Sequence, residues 1–184
     1  MDKSEACQMA LHEIGEHEYV TGTPGYEACE LYFRQTFLFL LKRFDWSFAR
    51  KRAKLVRGKR GFSLPVDCLS IVELEGLRHW RKFGTELVPE VDGWENGEVS
   101  LVYTSSEAVA RGIVPDDMPD FAQALIYHLA ASVCGCVSGD EAKRQELLGK
   151  AESVLREAMW LDAKQDASND QHPLERLMND SITA

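Results

Sequence analysis

Cys134-Gly135-Cys136 sets two thiols one residue apart, with His128 a short step upstream. Structural zinc sites pair a Cys-x2-4-Cys unit with a second such unit or with two histidines. Neither accompanies this pair, so the thiols read as small buried side chains near a helix end, and no metal is expected. The five histidines (His12, His17, His79, His128 and His172) stand in unrelated contexts. No Gly-x-Ser-x-Gly elbow occurs, and no Ser or Cys lies in a recognisable motif with a partner histidine. Glu13, Glu16, Glu18, Asp116 and Asp117 look like solvated helix-end and loop charges rather than a tuned acid/base pair. The glycines at 58 and 61 lack the spacing and the Ser or Thr of a phosphate-cradling loop. Without a nucleophile, base and orienter set, the expectation is a protein that is not an enzyme, with no catalytic residue and no cofactor. Turnover abolished by changing His128 or Cys134 is the observation that would reverse it.

One segment carries charge of another kind. Between positions 42 and 60 stand Lys42, Arg43, Arg50, Lys51, Arg52, Lys54, Arg57, Lys59 and Arg60 against Asp45 alone, a local +8 in a chain of net charge −9. The remainder therefore carries −17. Phe44, Trp46, Phe48 and Phe62 interleave with the cations, as in a single-strand nucleic-acid binder. A strongly acidic body repels a duplex within the Debye length, however. In an assembly of identical acidic subunits, Arg50, Lys51, Arg52, Lys54 and Arg57 would instead pair with a neighbour's acidic surface and fix its orientation. Subunit contact is the favoured reading and phosphate contact the alternative.

The elements that position these residues emerge from periodicity. At 184 residues, with 45% hydrophobic, 28% charged and 9% aromatic side chains, the chain can bury a real core. Five scattered cysteines, an odd number, favour reduced thiols in a reducing compartment. No apolar run approaches the roughly 18 residues of a membrane span, and residues 1–10 lack the order of a secretion signal. A soluble protein made in the cytoplasm, with no membrane partner, is expected.

Residues 4–14 space Cys7, Ala10, Leu11 and Ile14 as one helix face, with Ser4 available as cap. Thr23-Pro24 opens a second helix. It is apolar nearly all round, and Phe33, Phe37, Leu40 and Leu41 are assigned to packing against a neighbouring copy as well as the chain's own domain. Beyond Trp46 the spacing predicts strands at 49–56, 68–74, 85–88 and 98–103, with the basic stripe on an edge or a hairpin arm. A buried helix follows Pro119, and Ser138 with Glu141 makes a capping box for a last long helix. After Ala167 the composition becomes that of a linker, yet Leu174, Leu177, Met178 and Ile182 are spaced as a docking arm would space them. The predicted fold is mainly α: a helical bundle (1–48 and 115–165), a small antiparallel β insertion (49–114) and an extended, flexible C-terminal arm (166–184).

The order of landmarks carries a resemblance. Ala10-Leu11-His12-Glu13-Ile14-Gly15-Glu16, then Trp46-Ser47-Phe48 after an apolar helix, then a basic strand ending in Leu55, come first. Leu64-Pro65-Val66-Asp67-Cys68-Leu69-Ser70-Ile71, Val99-Ser100-Leu101-Val102-Tyr103, the proline before Phe121 and a long helix from Gly139-Asp140 through Ala151-Glu152 to Asp162-Ala163-Lys164-Gln165 complete the series. Together they resemble the head-to-tail adaptors of tailed phages, of the tail tubular protein A type, over most of the chain.

That resemblance implies a structural virion protein at the head-tail junction. It implies a homo-oligomeric ring of twelve copies beneath the portal, with a nozzle or tail tube protein below and genome DNA passing through the channel without sequence specificity. On this reading Leu174, Leu177, Met178 and Ile182 insert between portal subunits. A DNA-binding or regulatory module using the basic segment is the alternative, to be recognised by salt-dependent DNA affinity lost on neutralising Arg50, Lys51 and Arg52.

Overall fold

The computed structural model describes residues 1–59, 61–77, 79–90 and 98–167. Its first helix, α1 (Lys3–Glu13), begins at Asp2, whose carboxylate accepts the amide of Glu5 at 2.9 Å. Asp2, not Ser4, is thus the cap: both residue types serve, and the one that keeps an extended backbone takes the role. Helix α2 (Pro24–Arg43) opens on Thr23, whose hydroxyl accepts the amide of Tyr26, with Pro24 in the first turn where its missing N–H costs nothing. Helix α4 (Pro119–Val137) buries ten side chains, among them Phe121, Leu125, Ile126, His128 and Leu129. Around it pack α1, α2 and α5 (Glu141–Ala167). Asp140 caps α5 by accepting the amide of Lys143 at 2.9 Å, while Ser138 closes α4 by donating to the carbonyl of Cys134. The capping box placed at Ser138 is therefore corrected by two positions.

Helix α4 also corrects the statement about apolar runs: among the described residues it is the one helix long and apolar enough by composition to cross a membrane. Here it is the core helix of a bundle, and its apolar circumference is spent on the three helices around it.

Between α2 and α4 lies a second body. After one 3-10 turn (Ser47–Ala49) the chain forms β1 (Arg50–Val56), β2 (Phe62–Ser63), β3 (Cys68–Glu75), β4 (Trp80–Phe83), β5 (Glu86–Pro89) and β6 (Glu98–Ser105). They make two three-stranded antiparallel sheets, ordered β1-β6-β3 and β2-β5-β4. Alternation sends Leu55, Val99, Leu101 and Tyr103 of the first sheet inward, against Phe62, Leu64, Leu77 and Leu87, as a separate hydrophobic core. Gly61 lets the chain entering β2 lie close against β5, since a Cβ there would run into the carbonyl oxygen of Leu87. A short helix α3 (Glu107–Arg111), ended by Gly112 at φ 65°, returns the chain to the bundle.

These two sheets overturn the mainly α reading. With 53% helix and 23% strand, the described residues form an α+β fold, a helical bundle carrying a β sandwich with a core of its own. The sandwich was undercounted because β2 has only two residues and β4 is largely exposed, so neither shows an apolar alternation. The C-terminal arm placed at 166–184 begins inside α5, which runs to Ala167, and residues 168–184 lie outside the described residues.

Candidate functional site

The two bodies meet where the chain crosses twice, through residues 44–49 and through residues 105–107. Trp46 is wholly buried at the first crossing. Its indole N–H donates to the carbonyl of Leu40 at 2.9 Å, and its ring lies edge-on to Phe44 and Phe121, centroids 5.2 and 4.8 Å away. Asp162, reaching in from α5, accepts the amide of Ser47 at 2.9 Å and its hydroxyl at 2.5 Å. The aromatic run 44–48 is thus a packed knot. Phe62 is equally buried in the sandwich, so the reading of Trp46 and Phe62 as stacking platforms for bases is corrected, while Phe44 and Phe48 are half-buried against the knot.

At the second crossing Lys51 of β1 bridges Asp67, ahead of β3, at 3.0 Å and Glu107 of α3 at closer range. Asp67 also accepts from the hydroxyls of Ser105 (2.6 Å) and Tyr103 (3.2 Å), and Arg111 pairs with Glu107. The Ser105 hydroxyl and then the Lys51 ammonium hold the Asp67 carboxyl below its ordinary 3.8. Glu107, and after it Asp67, hold the Lys51 ammonium above its ordinary 10.5. A cleft of about 200 Å³ opens beside this network, lined by Phe48, Lys51, Ser105, Glu107, Arg111 and Ile113. Its charges are paired with one another, so its chemistry is that of a clamp between sandwich and bundle.

The basic stripe divides accordingly. Arg43 pairs with Glu152 at 3.0 Å, Arg50 with Asp45 at 2.9 Å, and Lys51 belongs to the clamp. Arg52 and Lys54 stand exposed on the outer face of the first sheet, and among the described residues neither makes an ion pair. Arg57 is exposed where β1 turns toward Phe62, and Arg60 lies outside the described residues. In register across β6, Arg52 and Glu73 flank Val102, and Lys54 and Glu75 flank Ser100, around a shallow trough of about 260 Å³.

Phe33, Phe37, Leu40 and Leu41 are nearly or fully inaccessible in the bundle core, with Phe37 against Phe33 and Phe121. Their assignment to packing between copies is therefore corrected: α4 and α1 cover them within one chain. The exposed apolar residues on this helix are Leu31 and Phe39 instead. Leu174, Leu177, Met178 and Ile182 lie outside the described residues.

Cys134 and Cys136 point apart, the first buried beside the Ser138 hydroxyl at 3.3 Å, the second exposed at 3.4 Å from the Tyr32 hydroxyl. Among the described residues no three His, Cys, Asp or Glu side chains group as a metal site would require. His128, 6% exposed, holds its Nε2 without a hydrogen-bond partner, 3.8 Å from Glu152 and beneath the Phe39 ring. Burial holds this imidazole below its ordinary 6.5, opposed by Glu152 and aided by Arg43.

The Lys51–Asp67–Glu107 clamp is not legible in the sequence, because its members are separated along the chain and each alone resembles a surface charge. The chain matches no family model and no curated protein in sequence.

Proposed function

We propose that this chain is a structural joint of a tailed-phage virion, a head-to-tail adaptor. It assembles as a ring of twelve copies between the portal and the nozzle or tail tube, at the head-tail junction, and the genome passes through its channel. The reading rests on the order of landmarks quoted above, and one structural observation supports it most. Arg52 and Lys54 are exposed and lack an ion pair among the described residues, on a sheet face that also bears Glu73 and Glu75, which suits contact with another protein surface. An acidic channel wall fits passage of a polyanion, because like charge keeps DNA from adhering.

The alternative, a DNA-binding or regulatory module, draws less support from the geometry. Of the cations at 42–60, Arg43, Arg50 and Lys51 are engaged by carboxylates, and the exposed pair Arg52 and Lys54 shares its face with two glutamates. A phosphate-tracking groove needs contiguous positive charge.

The test is to mix the purified chain with portal rings of the same phage and image the product by electron microscopy, with the chain alone as control. A ring stacked coaxially on the portal is the expected product, and a chain lacking residues 168–184 is expected to lose it. No association with the portal, together with a shift of duplex DNA at low salt, would replace this reading with the alternative.

A further inference from the structure

Both outer strands of the first sheet lack a strand partner on their far edge among the described residues, and they carry opposite charge. The order β1-β6-β3 leaves β1 and β3 as edges. On the solvent face β1 presents Arg52 and Lys54, β6 presents Ser100 and Val102, and β3 presents Glu73 and Glu75. The cations and carboxylates sit two strand spacings apart, roughly 10 Å, and no ion pair joins them within the chain among the described residues. Charges on an edge ordinarily discourage strand addition. Here they discourage it selectively. Two β1 edges brought together would set Arg and Lys against Arg and Lys, and two β3 edges would set Glu against Glu. An edge of β3 beside an edge of β1 from another copy sets Glu73 and Glu75 against Arg52 and Lys54.

Strand direction agrees with such a junction. Strands β1 and β3 both run antiparallel to β6 and hence parallel to each other. A second copy in the same orientation, with the same face to solvent, therefore adds its β1 to β3 as a parallel strand. The β3 edge is irregular at its start, with register shifts between Cys68 and Ser70 and between Ile71 and Glu73, and regular from Glu73 to Glu75. The regular stretch is the acidic one.

We propose that this sheet is the self-association surface of the chain: the acidic β3 edge at Glu73 and Glu75 receives the basic β1 edge at Arg52 and Lys54 of a second copy, head to tail. Each copy keeps one edge of each sign to offer, so the contact is heterologous and propagates until it closes. The proposal deepens the ring reading above and rests on it only in that the chain associates with itself.

Two variants test it, Arg52→Glu with Lys54→Glu, whose edges are both acidic, and Glu73→Lys with Glu75→Lys, whose edges are both basic. Native mass spectrometry and sedimentation, run with and without portal rings, report assembly, and circular dichroism reports the fold. The expected result is that the wild-type chain assembles, each variant alone loses the oligomer, and an equimolar mixture regains it as alternating rings with even copy numbers. A single chain bearing all four reversals is expected to assemble with itself and not with the wild type, which keeps the test decisive if one double variant misfolds. Assembly of either double variant alone at the wild-type level, a mixture that stays dispersed while both variants are folded, or a wild-type chain that is monomeric with and without portal overturns the proposal. Full rings of the variants on portal would remove this contact and leave the adaptor reading standing. Edge-dependent rings that ignore portal would do the reverse.

Discussion

Asp67 gathers donors from three places at once: Ser105 and Tyr103 of β6, and Lys51 of β1. Its carboxyl is held below 3.8, so it stabilises the fold above the carboxyl's unfolded value, and that contribution is lost as pH falls through the depressed one. Lys51 has the opposite sign, since its raised value adds stability that disappears as pH climbs past 10.5 and through the folded value. Denaturant titrations across pH should show an acid loss and an alkaline loss, and Asp67→Asn should diminish the acid one. His128 gives a separate signal. Buried and without a partner at Nε2, it is depressed below 6.5, so the unfolded chain takes up the proton first and stability declines as pH falls from 6.5 through the folded value. His128→Leu should flatten that decline in the same titrations, whereas a variant with the wild-type slope would show that the imidazole is solvated in the native state.

Elements are held here by contacts from outside themselves. The turn Ser47–Ala49 has no side-chain cap of its own; Asp162, far along α5, supplies the acceptor for Ser47. Asp162→Ala should cost about 1–3 kcal/mol by leaving the Ser47 amide without its acceptor, measured as a shift in denaturant midpoint. Trp46→Ala removes the centre of the knot and should cost about 3–5 kcal/mol. At Gly61, alanine should loosen β2 from β5 and expose the sandwich core, read by faster amide exchange in both strands while the bundle stays protected.

What could be read in the sequence follows the same division. Thr23-Pro24 was legible because cap and proline act on their own backbone. The caps at Asp2 and Asp140 were not separable from Ser4 and Ser138, since each pair offers two suitable oxygens within two residues. Periodicity shows that α2 is apolar at Phe33, Phe37, Leu40 and Leu41; it does not show that α4 supplies the cover. The basic stripe was legible as an edge or a hairpin arm, and β1 is an edge; the acidic edge on β3 was not legible, because strand order follows from long-range pairing that no local pattern encodes.

At the level of the whole molecule, a bundle and a sandwich with separate cores are joined by two chain crossings and a charged clamp. The clamp is salt-sensitive in a way the two cores are not, because its side chains are partly exposed. Raising ionic strength should therefore loosen the junction before either body melts. Limited proteolysis at residues 105–112, compared at low and high salt, checks this: cleavage there should rise with salt while far-UV circular dichroism stays constant.

The register at that junction has a mechanical consequence. The chain enters the sandwich on β1 and leaves it on β6, and these strands are adjacent and antiparallel, with Arg50 opposite Thr104 at the end nearest the bundle. A pull that separates sandwich from bundle thus loads both strands at the same end and in the same direction. The tension divides between two covalent backbones, and the hydrogen bonds of the β1–β6 ladder are neither unzipped nor sheared by it. Load would instead fall on the outer contacts, at β3 and at the second sheet, so the ladder through the middle of the sandwich is the last part of it to yield.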